Sequence, residues 1–481
     1  MHSPIITTRP WPRSRAAWTP ARWVRLEHGL RHGIWFAFFV ALSPLLGPRD
    51  YGLFVLAASG VIMAEAVLGE YAAQALAWID IDDGARLSTA FLALTAIGAA
   101  LSGLLYAIAG IVATMVDDAG SADMFQALSL LPLLGALGAV ATAVLRRRGS
   151  LAPFALATGV GLGASFVVAA ALAVVGAGAW ALVAQVVIQR FVEITILWAA
   201  SGQRVALAWS RHHAAELVAS LKPSVLGLGW AAAARQAPPM LVVLTLGPVA
   251  AGLYLFAARL FEALRDIGLA PLLATAGPVS TGGVRAIANI ASSASPIAFP
   301  AVLGGAALLA ITLPALLDPL WWGAISPARI LLLAAVPAGV ICVRTAALTA
   351  AGDFAVEARW QNWQALTLVC AVTVALPYGL DAVAIAVLAQ SSSVAAASLV
   401  PLAGTFGANW RRPAVGATRP LLAAGVTGAM LLMLADPVGA AFAPLPASCL
   451  LAAAGVSAYA GLLAVRFGHS ASLPATADQG H

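Results

Sequence analysis

Five arginines and five carboxylates fall inside long apolar stretches of this chain. They are Arg190, Arg235, Arg259, Arg265 and Arg344, and Glu65, Glu70, Glu193, Glu262 and Asp266. An arginine at the centre of a bilayer costs about 3 kcal/mol on insertion scales, so such residues face protein or a water-filled cavity and mark function. Arg190 and Glu193 stand three apart, and Glu262 and Asp266 four apart beside Arg259 and Arg265. These spacings allow local ion pairs on one helix face. Arg235 and Arg344 have no acidic residue within four positions. Arg235 also precedes Pro238-Pro239, a pair that removes backbone donors and is expected to kink its helix. Arg235, Arg259 and Arg344 are therefore the candidates to line a cationic cavity, where a guanidinium binds phosphate oxygens in pairs. Glu65 and Glu70 could carry a proton or ion at membrane depth, or could be helix-capping or interfacial carboxylates that pair with an arginine of the other lobe.

Other chemistry has weaker support. Asp80-Ile81-Asp82-Asp83 resembles the metal-binding Asp-x-Asp of membrane glycosyltransferases, but its connection is short and no further catalytic residues accompany it. The only lysine, Lys222, precedes Pro223, so no phosphate-binding glycine loop exists and ATP hydrolysis is not expected. His212-His213 are adjacent and do not converge on a metal. No cofactor, no metal and no nucleic-acid partner is expected. Cys342, Cys370 and Cys449 lie in apolar runs and read as small core residues.

Composition names the elements that must position these groups. The 481 residues are 61% hydrophobic and only 10% charged, against about 25% charged in soluble domains. The chain therefore reads as an all-α polytopic membrane protein. Spans of about 20 apolar residues recur near 27–46, 52–77, 87–115, 123–145, 152–176, 179–201, 220–246, 249–276, 297–318, 327–350, 358–378, 381–405, 419–435 and 446–466, about fourteen in all. Barrel strands are excluded because the runs are long and do not alternate. With the N-terminus in the cytoplasm, nineteen basic residues fall on the inner side and two, Arg49 and Arg329, on the outer side. Such an imbalance sets the orientation and puts both termini inside. Trp321-Trp322, Tyr51, Phe54, Trp360 and Trp363 read as interfacial belt residues.

The chain also repeats itself. Leu46-Gly47-Pro48 followed by Gly52-Leu53-Phe54 returns at an offset of 200 as Leu246-Gly247-Pro248 followed by Gly252-Leu253-Tyr254. A weaker echo pairs Leu145, Gly149 and Leu151 with Leu348, Gly352 and Phe354. Six helices separate the copies, so the blocks share orientation, as in transporters built from parallel repeats. The expected division is a cytoplasmic tail at 1–26, a first lobe of helices 1–6 at 27–201, a cytoplasmic connection at 202–219, a second lobe of helices 7–12 at 220–405, two further helices with their preceding loop at 406–466, and a tail at 467–481.

These turns carry a resemblance. Leu46 to Phe54, the second copy with Ala257 and Arg259-Leu260, and Gly176-Ala177-Gly178-Ala179-Trp180-Ala181-Leu182-Val183-Ala184-Gln185 together resemble the polysaccharide-export flippases. These are the Wzx-like members of the multidrug/oligosaccharidyl-lipid/polysaccharide superfamily. The likeness spans roughly residues 25–405. It departs in helix seven, where Arg235-Gln236-Ala237-Pro238-Pro239 replaces the family's usual Asn or Asp. It implies a bacterial inner-membrane flippase that moves undecaprenyl-pyrophosphate-linked glycan by alternating access. The expected partners are the lipid bilayer and the polymerase and glycosyltransferases of one exopolysaccharide pathway. A multidrug or lipid II exporter of the same superfamily, or a membrane glycosyltransferase or polymerase, stays open as an alternative, although the chain lacks the large outer loop of polymerases.

Overall fold

A computed structural model describes residues 20–77, 84–114, 120–203, 208–275, 299–351 (without 301 and 310), 353–406 and 411–464. Every regular element among them is helical, because an apolar chain in lipid must satisfy its own backbone polar groups. Each of the fourteen expected segments falls on a helix. We number them α1 (Pro20–Leu42), α2 (Pro48–Ala77), α3 (Gly84–Thr114), α4 (Gly120–Arg147), α5 (Ala152–Val174), α6 (Trp180–Ser201), α7 (211–246), α8 (248–275), α9 (299–316), α10 (325–351), α11 (Phe354–Ala375), α12 (Leu380–Phe406), α13 (Arg411–Ala441) and α14 (Pro444–Ala464). Nine stretches among the described residues are long and apolar enough to cross a membrane. Pro446–Leu463 is one of them, and Pro420–Ala435 is a shorter apolar helix.

Glycine sets the break between α7 and α8. Gly247 takes φ 86°, a left-handed angle open to glycine at little steric cost. The helix runs on through Pro238 and Pro239, and its one non-helical residue is Gly247. In the first copy of the repeat, Pro48 occupies the first turn of α2 and the Gly47 N–H donates to Asp50 Oδ2 at 3.0 Å, closing the helix start.

The two copies meet. A side-chain carbon on Gly52 would run into the Pro248 carbonyl, and one on Gly252 into the Pro48 carbonyl. The starts of α2 and α8 thus cross by reciprocal backbone contact that only glycine permits. Away from this crossing, α1–α6 pack largely on one another, and α7–α8, α10, α11 and α12 form a second packed group. α13 and α14 pack together and lie on α9 through Ala307, Leu431 and Leu451.

One apolar core runs across both groups of helices. At its centre Phe39, Tyr51, Phe256 and Trp321 form an aromatic cluster. Phe39 lies 4.5 Å from Phe256 and 4.4 Å from Trp321, and Tyr51 lies 5.2 Å from Trp321, by ring centroids. The Trp321 Nε1–H donates to the Ser43 carbonyl at 3.4 Å. This corrects the belt expectation for Trp321, Tyr51 and Phe54, which are all buried, while Trp322 and Trp363 remain exposed. Cys370 and Cys449 are also exposed, so only Cys342 is partly enclosed.

Candidate functional site

α1 and α8 run antiparallel along the line where the two groups of helices touch. Phe39 meets Phe256, and His32 Nε2 lies 3.2 Å from Asp266 Oδ2. From these anchors, His32 precedes Phe39 by seven residues and Asp266 follows Phe256 by ten. At 1.5 Å per residue the contacts extend over roughly 10–15 Å. Gly252, Phe256, Arg259 and Asp266 follow one another at spacings of four, three and seven. At 100° per residue that is a single face of α8, and three of the four touch the first group of helices across the gap. Arg259 therefore lies on the face of α8 that looks across at the other group. Its side chain keeps 43% of its surface exposed and pairs with Glu262 Oε2 at 3.3 Å, one turn on. Arg265 instead holds Asp266 Oδ1 from Nη2 at 2.8 Å and lies over the Phe261 ring.

A second cluster lies within the first group. Arg190 donates to Glu65 Oε2 and to Glu193 Oε2, both at 3.0 Å, and Gln189 donates to Glu193 Oε1 at 2.8 Å. Glu65 and Glu193 are buried. Small residues make the room. A side chain on Gly135 would come within 3.0 Å of the Glu65 carbonyl, and one on Gly161 within 3.0 Å of Glu193 Cγ. Between Glu65 and Glu70 the α2 backbone widens into a π-turn over Val67–Tyr71, a departure found often at functional sites. Glu70 accepts from Arg146 at 2.6 Å and from Gln74 at 3.0 Å. With Arg146 balancing Glu70, two carboxylates share Arg190, so the ion pairs among the described residues leave this cluster one formal negative charge in excess.

Arg344 is placed differently from Arg259. It is fully buried, with Nε and Nη2 on the two Glu357 oxygens at 3.2 Å each and Nη1 on Ser398 Oγ at 3.1 Å. Its guanidinium also lies 5.1 Å from the Trp360 ring, so Trp360 covers a cation here rather than serving as a belt residue. In this conformation Arg344 is closed to any ligand. The side chain of Arg235 and the acidic run Asp80 to Asp83 lie outside the described residues. His212 lies exposed in the first turn of α7, beside Glu216 at 3.1 Å.

The sequence reading missed Glu357, thirteen residues from Arg344, and the Glu65–Arg190 contact, 125 residues apart; Glu65 and Glu70 pair with Arg190 and Arg146 of their own group, not with an arginine of the other lobe. It also missed a groove of about 610 Å³ between α11 and α12, lined by Trp363, Gln364, Thr367, Gln390 and Ser393 among others.

Residues 41–275 match the model of a family described as polysaccharide biosynthesis protein. No curated protein matches the chain by sequence. Among solved structures, the fold is similar to lipid II flippase MurJ in an inward closed conformation, at 14% identity and TM-score 0.67 over 92% of this chain and 97% of that one. It is similar to a multidrug resistance MATE family transporter of the MOP superfamily facing inward, at 17% identity and TM-score 0.59 over 82% and 95%. The outward-facing form of such a transporter aligns at 18% identity and TM-score 0.56 over 83% and 97%.

Proposed function

We propose that this chain, whose residues 41–275 match the polysaccharide biosynthesis protein family and whose fold is similar to those of lipid II flippase MurJ and a MATE family transporter of the MOP superfamily, is a flippase for lipid-linked oligosaccharide or polysaccharide intermediates. The observation that carries this reading is the position of Arg259. It is a half-exposed guanidinium on the face of α8 turned toward the other helix group, about midway along that helix. Glu262 neutralises it but leaves 43% of its side chain exposed, so the guanidinium is open to a further anion at a depth where charges mark function. An undecaprenyl-pyrophosphate headgroup is such an anion, and its oxygens suit the fork of a guanidinium. Arg235 of α7 would add to the same cationic surface. The glycan crosses between the helix groups while the lipid tail stays in the bilayer, as the groups rock about the glycine crossing.

Energy enters through the cluster around Arg190. Its excess carboxylate would be neutralised by a proton or a monovalent cation, which makes Glu65 the coupling residue, with Glu70 held in place by Arg146. The chain would sit in the inner membrane with both termini in the cytoplasm, a reading supported by the nineteen-to-two distribution of basic residues. The pathway's glycosyltransferases and polymerase would supply the lipid-linked glycan and consume it.

The similarity to a lipid II flippase makes lipid II the second cargo to test. Cells carrying Arg259→Ala or Arg235→Ala should lose surface polysaccharide while the protein stays in the membrane. Normal polysaccharide in both would overturn the reading. A cell-wall defect with intact polysaccharide would move the cargo to lipid II.

A further inference from the structure

His28 and His32 stand four residues apart on α1, so their rings share one face a turn apart. They stack with centroids 6.3 Å apart and planes inclined by 15°. Asp266 reaches them from α8, 234 residues along the chain. One ligand atom from each of His28, His32 and Asp266 lies within 4.8 Å of the other two. Two further observations point to a ligand. His28 Nδ1 is buried with no hydrogen-bond partner, an uncommon and unfavourable state for a ring nitrogen. Asp266 is also pre-oriented: Arg265 Nε and Nη2 hold Oδ1 at 2.9 and 2.8 Å, leaving Oδ2 turned toward His32.

Two imidazoles and one carboxylate form the donor set of a borderline transition metal, whereas calcium and magnesium prefer oxygen alone. With metal–ligand bonds of about 2.0–2.2 Å, tetrahedral ligand atoms sit roughly 3.3 Å apart. The His32–Asp266 pair already has that separation, at 3.2 Å, so side-chain rotation of His28 would complete three positions. A carboxylate oriented by a neighbouring donor is the usual support of such a ligand. The fourth position is left to water.

We propose that His28, His32 and Asp266 bind a divalent transition metal of the Zn2+ class, and that the ion clamps α1 to α8. Its donors come from both groups of helices, so it binds only when the two are together. By linkage it then stabilises this arrangement over one in which they part. The sequence suggests no metal because the third ligand arrives only through the fold. The site is independent of the cargo and of the coupling role of Glu65.

The test uses the full chain in detergent, purified without a polyhistidine tag, stripped with chelator and titrated with Co2+. The expected result is one saturable equivalent with the visible absorption of four-coordinate cobalt, displaced by Zn2+. His28→Ala, His32→Ala and Asp266→Asn should each weaken binding at least tenfold, the scale at which even supporting residues of metal sites act. His212→Ala should leave it unchanged. Zn2+ should raise the unfolding temperature of the wild type and not that of His28→Ala. If His28→Ala fails to fold, His28→Gln keeps the size and polarity of the side chain and should lose the cobalt signal all the same. Absence of a saturable cobalt site in the wild type would overturn the proposal. So would stoichiometric binding that survives His28→Gln and His32→Ala.

Discussion

Replacing Glu357 with glutamine tests how Arg344 is used. Arg344 is wholly buried, and Glu357 accepts from two of its nitrogens at 3.2 Å each while also accepting from Thr345 at 2.7 Å and Gln361 at 3.2 Å. Glutamine preserves the shape but removes the charge, and its amide sets a donor against a donor. Removing one partner of a buried ion pair destabilises by about 3–5 kcal/mol, because the remaining charge is left in a low-dielectric site. Ser398 and the Trp360 ring recover only part of this. Thermal unfolding of the purified protein in detergent should therefore show Glu357→Gln clearly less stable than the wild type. The double replacement Arg344→Met with Glu357→Leu removes both charges and fills similar volume, a change often neutral or stabilising. It should recover stability and retain export, since the buried guanidinium is closed to cargo. Wild-type stability in Glu357→Gln would refute the buried pair. A stable but inactive double variant would refute the reasoning too, and would return Arg344 to the cargo path.

Two further outcomes follow from the packing. Gly52→Ala places a carbon against the Pro248 carbonyl, an overpacking of about 1–3 kcal/mol that should push α2 and α8 apart; Tyr51→Cys, buried beside the aromatic cluster in the wild type, should then react with an impermeant thiol reagent, and no gain in labelling would contradict the reciprocal crossing. Glu65→Gln leaves Arg190 paired with Glu193 alone, so the protein should fold but its export should no longer respond to the cation or proton gradient, as measured by dissipating that gradient in cells.

The helices and the repeat were legible because both are written in local pattern. Runs of twenty apolar residues mark spans wherever lipid is the solvent, and all fourteen segments fall on helices. The repeat at offset 200 also pointed to the right residues, since Gly52 and Gly252 are the pair that meets. Burial was not legible. Lipid is as apolar as a protein core, so Trp321 in the interior and Trp322 beside it carry the same hydropathy signal. Partners were not legible either. Arg190 reaches Glu65 and His32 reaches Asp266 across helices, and nothing in their local spacing announces it. The burial of Arg344 was not legible either, because the residue that neutralises it belongs to the next helix.

Export of a lipid-linked glycan is decided by finding which lipid-linked intermediate builds up when the protein is removed, and on which face of the membrane. The expected result is an undecaprenyl-pyrophosphate-linked glycan retained on the cytoplasmic face, cleared by the wild-type chain and not by Arg259→Ala. Removal that leaves no lipid-linked glycan behind, or clearance by Arg259→Ala at the wild-type rate, would contradict it.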